Sequence, residues 1–324
     1  MDSKTNKIRV FEGFAGYGGA SFALKRSGLN YEVVGSSEFD KFASALLEAN
    51  FPNVKNWGDI TQIVPEELPD FDLFTGGFPC QPFSSAGLQL GVDDKYGRGT
   101  LFFHIVRICA VKKPKYLLLE NVKGLTQKKF ASTFEMIKKS LKNLGYGDIA
   151  YAVLNSKDYG IPQNRERLWI FAQLGGLPEG FTMVPPKVEL KHKFADFLDK
   201  KAPDNMYLSD EQIEHLKVKH NIGSFKIDEP LCFDVYNKKI KKDALCITIT
   251  QPEHNSLRVV EVPKNGKEIV RKMSVDEQFR FMGFEDGELN YAGQSYSQMS
   301  KRAGNGWDVN LAGILIKHIF SQIL

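Results

Sequence analysis

Short apolar runs and amphipathic stretches alternate along the first half of the chain, the pattern of strands and helices taken in turn. Ile8-Arg9-Val10-Phe11 predicts a first strand, and a helix through Phe22 and Leu24 stops at Gly28. Tyr31 to Glu38 predicts a second strand that ends in an acid, followed by a helix from Phe39 to Asn50. Phe71 to Phe74, Tyr116 to Val122, Ala150 to Asn155 and the run from Arg165 to Phe171 read as further strands. Thr100 to Ala110 and Phe130 to Leu144 read as helices. The alternation predicts an α/β fold. Beyond Gly175-Gly176-Leu177-Pro178 it is lost, the composition turns lysine-rich, and Leu231 to Tyr236 and Ala244 to Thr250 read as strands. The apolar helix ending at Leu324 needs a large apolar partner, so the chain is expected to return to its first domain. The predicted division is one domain from residues 1–175 and 292–324, and a smaller, mostly β domain from 176–291.

Composition narrows this picture only a little. The 324 residues suit one large domain with a smaller one appended. Hydrophobic content of 42% and charged content of 25% are ordinary for a globular chain. A net charge of +4 permits nucleic-acid binding without requiring it. Cys80, Cys109, Cys232 and Cys246 are far apart, with no Cys-x-x-Cys pair. That spacing argues against a disulfide framework or a zinc site and fits a reducing, intracellular compartment. The N-terminus is polar and no apolar run reaches membrane length, so neither a signal peptide nor a membrane association is expected.

The candidate chemistry sits where predicted strands end. Gly76-Gly77-Phe78-Pro79-Cys80-Gln81-Pro82-Phe83-Ser84 follows the third strand. Its glycines are expected to let the chain turn sharply, and Pro79 stiffens the elbow. A thiol at the tip of such an elbow, beside Gln81, Ser84 and Ser85, reads either as a buried packing cysteine or as a nucleophile. The turn Phe14-Ala15-Gly16-Tyr17-Gly18-Gly19 brings backbone and a helix N-terminus close to a ligand, although its spacing departs from the dinucleotide fingerprint. Glu38 has the place of a ribose-binding acid or of a helix N-terminal acid, and Asp59 that of a turn cap or a nucleoside contact. Glu120 follows three leucines at a strand end, where a carboxyl either does acid work or joins an ion pair. Arg165 and Arg167 are two apart on a strand and are expected to share a face suited to an anion, a phosphate or a base carbonyl. The polar segment from Ala86 to Arg98 is expected to act as a lid over the cysteine. The basic run Lys238-Lys239-Ile240-Lys241-Lys242 reads as a solvated turn or a phosphate contact.

The order of these pieces is more specific than any one of them. Phe-Ala-Gly-x-Gly-Gly, Pro-Cys-Gln, Glu-Asn-Val, Gln-x-Arg-x-Arg and a terminal Gly-Asn resemble the DNA (cytosine-5) methyltransferases of bacterial and phage restriction–modification systems. The resemblance covers Ile8 to about Phe171 and about Arg271 to Ile319, leaving a target-recognition region between. It implies a Rossmann-like sheet with helices on both faces, and S-adenosylmethionine as methyl donor. It implies Cys80 as the nucleophile that adds to cytosine carbon-6, Glu120 at ring nitrogen-3, and Arg167, supported by Arg165, at the base carbonyl. Phe14, Gly16, Gly18, Glu38, Phe39, Asp59, Ile60, Gly77, Leu101, Asn305, Gly306 and Trp307 are then the cofactor-binding set. Gln81, Ser84, Ser85, Arg98, Thr248 and Thr250 are the candidate DNA contacts. The implied partner is duplex DNA, from which the cytosine is flipped out. The enzyme is expected to be an intracellular, nucleoid-associated monomer, with any cognate restriction endonuclease acting separately.

Three rivals carry other predictions. A transfer-RNA cytosine-5 methyltransferase on the same fold shares the catalytic motifs and differs in substrate. A catalytically dead DNA-binding paralogue is expected to lose Cys80, Glu120 or the arginines, all of which are present. A nicotinamide-dependent dehydrogenase has no role for the Cys80 elbow.

Overall fold

The computed structural model describes residues 7–79, 101–254 and 256–324. Cys80, Gln81, Ser84, Ser85 and Arg98, with the whole expected lid, lie outside the described residues. In chain order the first elements are β1 (Ile8–Gly13), α1 (Gly19–Ser27), β2 (Tyr31–Ser37), α2 (Lys41–Asn50) and β3 (Leu73–Gly77). Next come α3 (Leu101–Lys112), β4 (Tyr116–Val122), α4 (Ala131–Asn143), β5 (Ala150–Asn155), β6 (Gln163–Asn164) and β7 (Glu166–Gln173). There follow α5 (Asp210–His220), β8 (Leu231–Asp234), β9 (Lys239–Ile240), β10 (Cys246–Ile247), β11 (Leu257–Lys264), β12 (Lys267–Arg271), α6 (Val275–Arg280), α7 (Tyr296–Asn305) and α8 (Val309–Phe320).

The chain forms two compact units: residues 1–154, 166–186 and 311–324, and residues 155–165 and 187–310. The expected breaks after 175 and before 292 do not coincide with these bounds. The first unit keeps the chain as far as Pro186 and takes the last helix back from Leu311. It gives up Asn155–Arg165, because β6 pairs with β10 of the second unit and not with the large sheet.

The first unit is built on a six-stranded sheet of order β2-β1-β3-β4-β7-β5. β2, β1, β3 and β4 are parallel, and β7 runs antiparallel to β4. Alternation along each strand sends side chains to two faces. Phe11, Phe74, Leu117, Leu119, Leu168 and Ile170 pack against Phe102, Ile105 and Ile108 of α3 and Ile137 and Leu141 of α4. On the other face Tyr116 and Phe171 meet Phe320 of α8, with ring centroids 5.1 and 6.4 Å apart. Helices therefore cover both faces, and burial of these apolar side chains is what holds the sheet.

Gly76 serves a purpose other than the expected turn. It and Gly77 continue β3 and pair with Leu119 and Glu120 of β4. A Cβ on Gly76 would meet the Gly13 carbonyl oxygen of β1, so the residue permits close strand approach.

In the second unit β12, β11, β8 and β9 form an antiparallel sheet. Ile213 and Leu216 of α5 pack on Phe233, Val260 and Val270 of that sheet. Asn265 and Gly266, with φ of 52° and 75°, make the tight turn between β11 and β12. Beneath lies a buried charge cluster. The Arg271 guanidinium donates two bonds to Glu277, at 2.7 and 2.8 Å, and a third to Glu261. Glu277 also accepts from the backbone N–H groups of Ser274 and Asp199, each at 2.8 Å.

Candidate active site

The Phe14–Gly18 turn lies at the carboxyl end of β1, where open α/β sheets bind ligands. Phe14, Gly16 and Gly18 all have left-handed backbone, with φ of 53°, 58° and 89°. Glu38, one residue beyond β2, closes the turn from the side: its Oε2 accepts from the Gly16 N–H at 2.8 Å and its Oε1 from the Asp40 N–H at 2.8 Å. Asp40, not Glu38, caps α2, accepting from Phe42 and Ala43. Both carboxylate oxygens of Glu38 are thus fixed in direction at the carboxyl end of β2. Phe39 beside it is 77% exposed, an aromatic face open to a flat ring. A Cβ at Gly16 would meet nothing within 4 Å. Open space, an acid and an exposed ring at one strand end fit an adenosine group.

Two residues that sequence reading passed over shape this end of the sheet. Arg107 on α3 donates to the carbonyls of Ile63 at 2.6 Å and Ile60 at 3.2 Å, clamping the segment that carries Asp59. Asp59 turns that segment by accepting from the Thr61 N–H at 2.9 Å, and Ile60 is buried. Glu12 is buried in β1, where its carboxylate accepts from the N–H groups of Ala20 and Ser21 and from the Ser21 hydroxyl. It thus holds the start of α1, where negative charge is favoured. A lone acid at an inward position of a strand was the available signal.

Burial pushes the Glu12 carboxyl up from 4.5 to about 7, against the pull of Ser21 and Ala20 and with a further push from the Glu38 charge. The folded value is above the unfolded one, so between the two the folded chain binds more protons than the unfolded chain. The stability this provides is complete below about pH 4.5 and lost as pH rises through about 7. At about 1.4 kcal/mol per pH unit the loss is about 3 kcal/mol. Urea unfolding at a series of pH values is expected to show this fall in the native protein and a flatter profile in Glu12→Gln. Parallel profiles for the two proteins would refute it.

The reactive end of the site is formed by β3, β4 and β7. Glu120 stands in register with Gly77, three residues before Cys80, and is 8% exposed. Arg167 of β7 reaches it, Nε to Oε1 at 3.1 Å. Burial lowers the pKa of the Arg167 guanidinium while the Glu120 charge raises it. Asn121, also unassigned from sequence, is buried and donates its side-chain N–H to the Phe78 carbonyl at 2.9 Å. The chain is therefore held two residues ahead of Cys80. Phe78 is also buried against Phe102 of α3, with ring centroids 5.5 Å apart, and Leu101 opens that helix.

The remaining expected residues belong to the second unit. Arg165 does not meet the period-two expectation of sharing an anion site with Arg167. The strand breaks between β6 and β7, and the Arg165 guanidinium is buried on three backbone carbonyls of its own unit. Asn305 ends α7, Gly306 follows it, and Trp307 is buried. The hydroxyls of Thr248 and Thr250 already donate to the carbonyls of Asn164 and His254. The basic run begins in the exposed turn that carries Tyr236, 82% exposed, and continues through β9, which pairs with β8. Among the described residues no helix is long and apolar enough to cross a membrane.

Residues 8–321 match the family model of C-5 cytosine-specific DNA methylases, and the chain belongs to that family. It is a DNA (cytosine-5) methyltransferase. Among its relatives it is 39% identical over 311 residues to the type II methyltransferase M.HaeII of Haemophilus aegyptius, covering 94% of this chain and 90% of that one. It is 33% identical over 324 residues to M.Bsp6I of a Bacillus species, covering 98% and 100%. A DNMT2 variant from Spodoptera frugiperda has the same fold, with a TM-score of 0.75 at 20% identity over 97% of this chain and 100% of that one.

Proposed function

We propose that the enzyme methylates carbon-5 of a cytosine flipped out of duplex DNA, through a covalent adduct with Cys80. The role is modification within a restriction–modification or self-protection system, the protein acting as a monomer and any cognate endonuclease acting separately. The observation that carries this reading is the Glu120–Arg167 pair set in register with the strand that leads into Cys80.

Cytosine carbon-5 is a poor nucleophile until the ring is broken out of conjugation. The Cys80 thiolate forms a bond to carbon-6, and Glu120 delivers a proton to nitrogen-3 as charge develops there. Arg167 orients Glu120 and donates to the base carbonyl. The ring is then an enamine, nucleophilic at carbon-5. S-adenosylmethionine, when bound, supplies the electrophilic methyl group. The carbon-5 proton then passes to water as the carbon-6–sulfur bond breaks, Cys80 leaves as thiolate, and the nitrogen-3 proton returns to Glu120, which restores the ring. On this reading Phe14, Gly16, Gly18, Glu38, Phe39, Asp59, Ile60, Gly77, Leu101, Asn305, Gly306 and Trp307 are the residues that serve the methyl donor. Gln81, Ser84, Ser85, Arg98, Thr248 and Thr250 contact DNA, the threonine hydroxyls as acceptors because their hydrogens are given to backbone carbonyls.

The test uses methyl-labelled S-adenosylmethionine with unmethylated duplex DNA and, separately, total transfer RNA, each digested to nucleosides. Labelled 5-methyldeoxycytidine from DNA is expected. Label in 5-methylcytidine from RNA, or in neither digest, overturns the reading.

A further inference from the structure

Arg165 is 1% exposed. Its Nη1 donates to the Ile249 carbonyl at 3.0 Å, and its Nη2 donates to the carbonyls of Gly304 at 3.1 Å and Gly306 at 2.7 Å. The last two bracket Asn305, which is exposed at the end of α7. Ile249 lies between Thr248 and Thr250, and its N–H donates to Gln163 Oε1 at 3.1 Å. Both backbone groups of Ile249 are thus held by the Gln163–Arg165 segment. α7 also approaches this segment closely, since a Cβ on Gly304 would come within 2.5 Å of the Thr250 carbonyl carbon. A planar guanidinium can serve three carbonyls at fixed angles, which an ammonium on a flexible stem cannot. A head group enclosed in this way presents no surface to a base.

We propose that Arg165 is a positioning residue that locks Asn305 onto the Thr248–Thr250 segment, so that the cofactor contact and the DNA-contacting segment form one rigid piece. It acts on methyl-donor affinity and not on the cytosine ring. The proposal rests on the reading of Asn305 as a cofactor contact.

The test is a double-mutant cycle on the full chain, with S-adenosylmethionine affinity measured directly by calorimetry and kcat measured at saturating donor. Arg165→Lys is expected to weaken donor binding about tenfold, the scale of losing charge-assisted bonds, with kcat changed by less than about threefold. In an Asn305→Ala background the same change is expected to cost nothing more, because the two residues act as a unit. Gly304→Ala, which displaces Asn305 while keeping the guanidinium, provides a second variant with the same expected loss should the lysine variant fail to fold. Additive losses overturn the proposal. So does a fall in kcat with donor affinity unchanged, the result expected of a base contact. An unchanged affinity in Asn305→Ala alone overturns the cofactor reading of Asn305, and the proposal with it.

Discussion

Replacing Cys80 with alanine abolishes methyl transfer and leaves S-adenosylmethionine binding intact. Without the sulfur no bond forms at carbon-6, and carbon-5 never becomes nucleophilic. The expected loss in turnover is on the order of 10⁴-fold or more, as for removal of other covalent nucleophiles. On the proposed reading the donor meets Phe14 to Gly18 and Glu38, a turn that follows β1 and is held by the bonds of Glu38 to the Gly16 and Asp40 N–H groups. Calorimetry on the variant should therefore give the native donor affinity. Turnover within tenfold of native would sink the covalent mechanism. Loss of donor binding would instead show that the elbow supports the cofactor site.

Arg271→Met destabilises the second unit by about 3–5 kcal/mol, because it leaves a buried carboxylate without its counter-charge. Glu277 is fully buried and takes both of its strongest bonds from Arg271. Its other two donors, the N–H groups of Ser274 and Asp199, do not offset a full charge. The double variant Arg271→Met with Glu277→Leu removes both charges and is expected to recover most of the loss, since paired buried charges often break even against apolar replacements. Urea midpoints of the two variants decide the matter. Equal midpoints for the single variant and the native protein refute the prediction.

The chain order of the motifs was enough to identify the chemistry, and the reason is local. A strand end followed by a glycine-rich turn, a proline-bound cysteine or an acid is specified by residues adjacent in sequence, through backbone angle and side-chain type. β5 was predicted with its observed bounds, and the helix stop at Gly28 was legible for the same reason. The Asn265–Gly266 pair is an equally local hairpin signal.

Other features depended on partners distant in sequence. Gly76 reads as a turn until β1 is laid beside it, when close strand approach becomes its purpose. Arg165 and Arg167 look equivalent two residues apart, yet one meets Ile249, Gly304 and Gly306 and the other meets Glu120. Glu12 looks like a surface acid until α1 delivers three donors to it. The sequence by itself determined the reaction class and the α/β alternation, because both are set by side-chain chemistry and short-range backbone preference. Only the tertiary structure decided which polar residue serves as support and which is left open to a substrate. That choice depends on which backbone groups folding brings within hydrogen-bond reach, and burial makes each such bond compulsory.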